Sequence, residues 1–233
     1  MGKRIISQAR GHGSLSYRVR KKAYQYKIKY PMTDGEATIL ELIHSAGHSA
    51  PLIKIKAGNE IAFLPAFNGA IVGEKIKVNT DEVKPGNIMM LKNVPTTTSV
   101  YNIEINPGDG GKMIRTAGSS AIVFKKLENN KVIVLMPNKK ELVLPGDNRV
   151  TVGVIAGAGK ILKPFMKAGV KWYQMKARNK LWPRTSAVKM NAVDHPFGSG
   201  RGKRIKPKIA KRNSPPGARV GHIRPRRTGR EKR

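Results

Sequence analysis

The sequence predicts an all-β fold with short helices and long, basic, extended N- and C-terminal arms. Two observations carry this prediction. The middle of the chain is a series of short apolar runs, each about the length of a strand, separated by turns rich in glycine, proline and asparagine. The positive charge is concentrated at the two ends, where acids are nearly absent. Many short strands at close spacing are typical of sandwiches and small barrels, and not of a doubly wound sheet.

The charge distribution separates both arms from the middle of the chain. The 233 residues include 46 Lys and Arg against 14 Asp and Glu, a formal net charge of +32. Residues 1–33 hold 9 Lys or Arg and no acid, and residues 196–233 hold 14 with a single acid, Glu231. Charge of one sign repels itself, so the composition predicts a polyanionic partner: nucleic acid, an anionic membrane surface or an acidic protein.

Several classes of protein are excluded or disfavoured by composition. The chain has no cysteine, so it has neither disulfides nor thiolate metal sites. No apolar run has the length of a membrane span, and the basic start lacks the apolar core of a secretory signal. We therefore expect a soluble, cytoplasmic protein.

The N-terminal arm ends in an alternating aromatic stretch. Tyr24, Tyr26, Ile28 and Tyr30 alternate with polar residues, which predicts a strand with one aromatic face and one polar face. Two interpretations stay open. The tyrosines pack on the body as part of an edge strand, or they lie on sugars and bases while the lysines meet phosphates.

Seven strands are predicted in the middle of the chain from alternation and turn signals. They are residues 36–43, 52–57, 60–65, 74–78, 121–127, 131–137 and 140–145. The segment 84–95 is expected to join two groups of strands. His44 and His48 have the spacing of a helical zinc site, but Gly47 disfavours a helix, so a turn between strands is predicted.

Two glycine-rich stretches look like phosphate-binding loops but lack the required residues. GVIAGAGK has Val154 and Ile161 where a P-loop needs Gly and Ser or Thr, and GDGGKM fails at Asn106 and Met113. Nucleotide hydrolysis is therefore not predicted. These glycines are interpreted as tight turns or as places where the backbone approaches RNA closely.

The periodicity changes after Gly159. Ile161, Leu162, Phe165 and Met166 have helical spacing, which predicts a helix with Pro164 in its first turn. From residue 184 onward the periodicity fades, and the proline-, glycine- and arginine-rich tail cannot bury a core. Its arginines are expected to contact phosphates from an extended backbone.

The stretch NAVDHPFGSGRGKR, residues 191–204, sets a histidine among glycines and basic residues. Pro196 favours an extended backbone at His195, and Asp194 is expected to orient the imidazole N–H. A catalytic site would need a nucleophile or a second acid–base group on a rigid scaffold, and the stretch offers neither. It is interpreted as a cationic loop that grips a polyanion.

Several stretches resemble the second universal protein family of the large ribosomal subunit. Residues 191–204 are similar to its C-terminal signature, N-x-V-D-H-P-[HF]-G-G-G, with Ser199 in place of the middle glycine. Phe197 and the opening RGHGS point to the archaeal and eukaryotic branch, so we expect the archaeal type. Long segments also agree, namely GNEIAFLPAFNGAIVGEKI, KPGNIMMLKNVPTTTSVYNIEINPGDGGKMIRTAGSSA and NRVTVGVIAGAGK.

The resemblance implies a specific architecture. An OB-like barrel is followed by an SH3-like barrel, and both termini are buried in rRNA. The implied boundaries are a basic N-terminal arm at 1–33, an OB-like RNA-binding barrel at 34–86, an SH3-like barrel at 87–160, and a short helix with an extended basic rRNA-binding tail at 161–233.

The resemblance also implies a function. The protein is expected to be a structural constituent of the large ribosomal subunit and a primary rRNA-binding protein, and not an enzyme. It is expected to support subunit association, tRNA binding and the peptidyl-transferase region. The implied partners are large-subunit rRNA, other ribosomal proteins and the small subunit, with no membrane, cofactor, metal or small-molecule substrate.

Two other classes of function stay open from the sequence. One is an RNA-processing enzyme that uses His195 with Asp194, although no second acid–base cluster is evident. The other is a basic protein that compacts DNA or coats a membrane surface. Preference for structured rRNA over duplex DNA or anionic vesicles would separate these classes.

The residues expected to contact rRNA combine the family's positions with basic residues of the arms and body. The family's functional histidine corresponds to His195, and the arginine of its NR/CR-x-T-x-G motif corresponds to Arg149. The expected contacts are Arg10, Lys22, Lys27, Arg115, Arg149, Lys160, Arg178, Asp194, His195, Gly198, Gly200, Arg201, Lys203, Arg204, Arg224 and Arg226.

Overall fold

The computed structural model describes residues 2–200 and 209–224. Over these residues the regular structure is mainly β-strand with short helices, which confirms the all-β prediction. The strands are β1 (Gly35–Ile43), β2 (Leu52–Ala57), β3 (Glu60–Pro65), β4 (Lys75–Val78), β5 (Ile88–Met90), β6 (Ser99–Tyr101), β7 (Ala121–Leu127), β8 (Lys131–Leu135), β9 (Glu141–Pro145), β10 (Arg149–Val152), β11 (Ile209–Ala210) and β12 (His222–Ile223). The α-helices are α1 (Ile6–Gly11), α2 (Gly159–Leu162) and α3 (Ala168–Ala177).

Strands β1 to β10 form one sheet in the order β3-β2-β1-β4-β5-β10-β6-β7-β8-β9. Neighbouring strands pair antiparallel, except that β4 pairs parallel with β5. In β8 the side chains of Val132 and Val134 are buried, whereas Lys131 beside the preceding turn is exposed. A one-residue slip of register would move these valines to the exposed face of the strand. Because full burial of each aliphatic side chain contributes about 1.5–3 kcal/mol, such a slip is strongly disfavoured.

Two hydrophobic cores lie along this sheet. The first contains Ile39, Ile55 and Ile76 from β1, β2 and β4. The second contains Val123 and Val134 from β7 and β8. The first four predicted strands contribute to the first core and the last three to the second, but the first core also contains Ile88, Tyr101, Ala117 and Ile155. The division into an OB-like and an SH3-like barrel therefore stays a prediction.

The seven predicted strands are all present, with bounds that differ by two residues at most. Three strands of the sheet were not predicted: β5, β6 and β10. Each is only three or four residues long, and all residues of β10 after Arg149 are buried, so none shows the alternation that reveals a half-buried strand. The predicted turn at His44 and His48 is confirmed, since β1 ends at Ile43.

The predicted strand over Tyr24 to Tyr30 is wrong. Residues Lys21–Tyr24 form a 3-10 turn, and the stretch that follows makes one bridge to β3, between Ile28 and Phe63. The Lys29 N–H donates to the Phe63 carbonyl at 3.3 Å, but Pro31, the next residue on that side, has no N–H to continue the ladder.

The predicted helix across Pro164 is also wrong. Helix α2 ends at Leu162, and Lys163 has an extended backbone with φ −100° and ψ 105°. A proline ring clashes with a helical conformation of the preceding residue, so Lys163 is driven out of the helix. The chain becomes helical again only in α3, from Ala168. Among the described residues, no helix has both the length and the hydrophobicity to cross a bilayer.

The chain divides into two compact units. One comprises residues 20–170, and the other comprises the described residues of 2–19 together with those from 171 onward.

The N-terminal arm is not extended throughout, because it contains α1 and a 3-10 turn at Leu15–Tyr17. The Gln8 side chain stabilises the start of α1 by accepting the Ile5 N–H at 3.1 Å. The four-part domain division stays a prediction.

Candidate nucleic-acid interface

His195 lies in a tight turn held by backbone hydrogen bonds. The N–H groups of Asp194 and His195 both donate to the Asn191 carbonyl, at 3.0 and 3.2 Å. The Gly198 N–H then donates to the His195 carbonyl at 2.8 Å. These bonds place His195 where one turn ends and the next begins, and the extended backbone predicted at His195 itself stays a prediction.

The imidazole of His195 is oriented by the backbone. Its Nδ1 accepts the Phe197 N–H at 3.0 Å, and the Phe197 ring lies 5.2 Å away between centroids. Because Nδ1 accepts, a neutral ring carries its proton on Nε2 and offers a donor there. The Asp194 carboxylate, predicted to orient the ring, instead lies 3.8 Å from the Lys3 ammonium.

The two glycines of the predicted site differ in their environment. Gly198 is buried, and a Cβ there would lie 2.3 Å from the Asn191 carbonyl oxygen, so the turn closes only around glycine. Gly200 is exposed and has φ +90°, a conformation that side chains rarely adopt. Gly198 is therefore needed for packing within the protein, whereas Gly200 leaves its backbone accessible.

His195 and Arg10 line the same cavity, of about 260 Å³. Arg184 joins them, together with the hydroxyl-bearing residues Ser7 and Thr185. The described lining contains no acid, so it presents two guanidinium groups and neutral donors without a compensating charge. Guanidinium and hydroxyl groups are the usual phosphate donors in nucleic-acid complexes. Sequence reasoning missed Arg184, Ser7 and Thr185, because only the fold brings them to His195.

Arg149 lies in the body and is engaged by a buried acid. Its guanidinium contacts Glu104 Oε1 at 3.1 Å through Nη2 and at 3.3 Å through Nε. Its Nη1 donates to the Pro31 carbonyl at 2.9 Å, and the guanidinium lies 5.2 Å from the centroid of the Tyr30 ring. The side chains of Arg149 and Glu104 are 14% and 0% exposed. Its donors are thus directed inward in this structure.

Arg115 is also partly buried and engaged internally. Its Nε donates to Asn102 Oδ1 at 3.1 Å, and its Nη2 contacts the carbonyls of Ile28 and Gly111. Burial lowers the pKa of Arg115 below the ordinary value for arginine. Neither Arg115 nor Arg149 is among the residues that line the His195 cavity.

The other predicted contacts are distributed over the surface. Arg178 is half-buried near the end of α3, and the backbone N–H of Arg224 donates to the Ala210 carbonyl at 3.0 Å. The exposed members are Lys22, Lys27, Lys160 and Arg224. Four predicted contacts lie outside the described residues: Arg201, Lys203, Arg204 and Arg226.

The family model and the similar full-length proteins all indicate the same family. The sequence model of the family described as Ribosomal Proteins L2, C-terminal domain, matches residues 84–217. The chain is 42% identical over 241 residues to the large ribosomal subunit protein uL2 of Hyperthermus butylicus, with both chains covered completely. The chain belongs to the uL2 family. It is of the archaeal type, as the sequence predicted.

Two further uL2 proteins show that the similarity extends over both units. The uL2 of Korarchaeum cryptofilum is 42% identical over 242 residues, covering 100% of this chain and 98% of its own. The uL2 of Methanococcus maripaludis is 44% identical over 241 residues, covering 98% and 99%. The family model alone covers the segment from β5 to beyond the turn at His195, and these full-length uL2 relatives add the N-terminal residues.

Proposed function

We propose that this uL2 chain is a structural constituent of the archaeal large ribosomal subunit and binds large-subunit rRNA directly. Membership of a ribosomal protein family supports the first part. The observation that carries the second part is the cavity of His195, Arg10 and Arg184, whose described lining is cationic and free of acids.

Phosphates of rRNA are the ligands that this cavity suits best. The two guanidinium groups offer charged donors, and a neutral His195 adds a donor at Nε2. A net charge of +32 supplies the attraction that brings such a polyanion to the chain. The remaining predicted contacts, including Lys22, Lys27 and Lys160, are proposed to meet the same rRNA.

The finer roles belong to the same proposal. The chain is proposed to be a primary rRNA-binding protein that supports subunit association, tRNA binding and the peptidyl-transferase region. Its further partners would be neighbouring ribosomal proteins and the small subunit, on ribosomes in the cytoplasm. The two cores of the sheet support, for the body, an OB-like barrel followed by an SH3-like barrel.

The geometry around His195 favours a positioning role over catalysis. Nδ1 accepts a backbone N–H, and the Asp194 carboxylate is near Lys3, so the arrangement is not that of an Asp–His acid–base pair. The described residues of the cavity lining include one histidine, His195, and no aspartate or glutamate, so they offer no second group for acid–base catalysis.

The test is co-sedimentation of a tagged chain with large subunits through a high-salt wash. The intact chain should stay with the subunit, and the double variant Arg10→Gln, Arg184→Gln should be released at a lower salt concentration. A matched variant, Lys75→Gln with Lys77→Gln, removes the same charge from residues that pair with acids. Release of the intact chain in the first wash would reject the proposal.

A further inference from the structure

A second pocket, of about 180 Å³, is built from aromatic and basic side chains at the end of α3. Its lining includes Tyr17, Trp172, Lys176, Asn179, Lys180 and Trp182. Trp172 is 38% exposed, and the adjoining Tyr173 is 69% exposed. Large aromatic side chains left exposed beside a pocket are typical of an interaction site.

The end of α3 creates this pocket by reversing the chain. Asn179 has φ +50°, and its N–H donates to the Lys176 carbonyl at 3.1 Å. The Lys180 N–H donates to the Met175 carbonyl at 2.8 Å, which completes the paired hydrogen bonds of a Schellman motif. The reversal returns Trp182 to the helix, where the Lys171 ammonium lies 5.4 Å from its ring centroid.

Lysines cover both tryptophan rings of the pocket. The Lys176 ammonium lies 4.5 Å from the centroid of Trp172, and Tyr173 meets the same ring edge-on at 4.9 Å. A cation–π contact at an exposed site is weaker than the stacking of a base on an aromatic ring. A planar base can therefore displace the lysine, which then becomes available to a neighbouring phosphate.

Size and charge define the ligand. Pockets for whole drug-sized molecules are about 300–1,000 Å³, so 180 Å³ suits a single planar ring system. The described part of the lining contains two lysines and no acid, which favours a ligand attached to phosphates. The Asn179 side-chain amide carries both a donor and an acceptor, as the edge of a base requires.

We propose that this pocket binds one unstacked base of single-stranded RNA. The inference rests on the proposed function and refines it, because it assigns a base contact where the His195 cavity assigns phosphate contacts. In duplex RNA the base faces are stacked and inaccessible, so a loop, bulge or end is the partner that fits.

The intrinsic tryptophan fluorescence of the protein measures occupancy of this pocket directly. The sequence contains two tryptophans, and both line the pocket. Fluorescence of the full chain, excited where tyrosine does not absorb, should be quenched on titration with single-stranded oligoadenylate. Inorganic polyphosphate at matched salt should leave the fluorescence unchanged, although it competes for the basic surface.

Substitutions then separate stacking from charge. Trp172→Leu should weaken binding of labelled oligoadenylate by about 5- to 140-fold at elevated salt, the equivalent of removing one base–aromatic stack. Trp172→Phe keeps an aromatic face and should retain most of the affinity. The matched control is Phe165→Leu, because Phe165 is an exposed aromatic residue outside this pocket and should be neutral.

Each other outcome would overturn the inference. Tight RNA binding without tryptophan quenching would reject the pocket and leave the proposed function intact. Quenching by polyglutamate equal to that by oligoadenylate would indicate an acidic protein partner instead of a base. Absence of any RNA binding would reject both proposals. Equal affinities of Trp172→Leu and Phe165→Leu would show that stacking on Trp172 does not contribute.

Discussion

At the scale of single residues, many interactions of the body converge on the buried carboxylate of Glu104. Its two oxygens accept the N–H groups of Gly108, Gly110 and Arg149 at 2.9 to 3.1 Å, in addition to the Arg149 guanidinium. The Asn148 amide binds the Glu104 carbonyl at 2.8 Å. Glu104 therefore holds the 105–111 loop and also fixes Arg149, so the Arg149 guanidinium has a structural partner within the protein in addition to its predicted rRNA contact.

Replacement of Glu104 by glutamine should destabilise the body strongly. The substitution preserves shape but leaves the Arg149 guanidinium without its anion, and breaking a buried pair in this way costs about 3–5 kcal/mol. The measurement is urea unfolding followed by far-ultraviolet circular dichroism. Glu36→Gln is the control, because the Glu36–Lys75 pair is on the surface and should change the midpoint little. Equal shifts in the two variants would show that the Glu104 pair is not buried in solution.

Tyr30 should make stability fall at alkaline pH. Its hydroxyl donates to the Asn102 carbonyl and contacts Thr151 Oγ1, and burial raises its pKa well above the ordinary 10.0. Burial also raises the pKa of Tyr101. Above pH about 10 the unfolded chain releases protons that the folded chain retains, so each such tyrosine lowers the free energy of unfolding by about 1.4 kcal/mol per pH unit. Below pH about 10 this loss is absent.

The measurement is the free energy of unfolding between pH about 9 and 11. Tyr30→Phe should flatten the alkaline slope relative to the intact chain, although it also lowers stability at neutral pH because Asn102 and Thr151 lose a partner. Tyr173→Phe, at a position that is 69% exposed, should keep the original slope. The same slope in Tyr30→Phe and the intact chain would contradict the prediction.

The residue types in the sequence indicated which side chains can contact a polyanion. They did not show which of these basic side chains are instead paired with groups inside the protein. Arg149 matches a family motif, yet its partner Glu104 is 45 residues earlier, and only the pairing of β10 with β6 brings the two segments together. The aromatic pocket was missed for the same reason. Trp172 and Trp182 approach each other through the reversal at Asn179, and a positive φ at an asparagine is not visible in periodicity.

At the scale of elements, prediction succeeded where a strand had one buried face and clear turns at both ends. β2 is such a case, with Ile53 and Ile55 buried, Lys56 exposed, and Gly58 in the turn to β3. It failed where local backbone chemistry overrode the pattern. Pro31 ended the alternating stretch before it could pair, and Pro164 divided an apolar run of helical spacing into separate segments.

The His195 turn should depend on Gly198. An alanine Cβ there would approach the Asn191 carbonyl to 2.3 Å, so Gly198→Ala must open the turn and should cost about 1–3 kcal/mol. Tryptophan-monitored urea unfolding measures this, because Trp172 and Trp182 lie in the same unit. Gly11→Ala, with no atom within 4 Å of the added Cβ, is the control and should be neutral or slightly stabilising. A Gly198→Ala variant as stable as the control would mean that the turn is looser than the structure indicates.

At the scale of the whole molecule, charge and hydrophobic core are separated along the chain. The middle, residues 34–195, holds 23 bases and 13 acids, and surface pairs such as Lys77–Glu82 neutralise part of this charge. The two ends carry a net +22 between them. The body has a milder net charge of +10, and it has two cores to fold around. This division was predictable from composition, because charge does not depend on knowing the fold.

Deletion of residues 203–233 should therefore reduce the salt dependence of rRNA binding. The segment holds 13 Lys or Arg and one acid, and each phosphate that the shortened chain no longer binds reduces the slope of log affinity against log salt by roughly 0.7 to 0.9. The slope is measured by filter binding of large-subunit rRNA over a series of salt concentrations. The control replaces Lys75, Lys77 and Lys92 by glutamine, because each already pairs with an acid and should leave the slope nearly unchanged. An unchanged slope after the deletion would mean that the C-terminal segment binds few phosphates, and the proposed rRNA contact would then rest on the His195 cavity and the N-terminal arm alone.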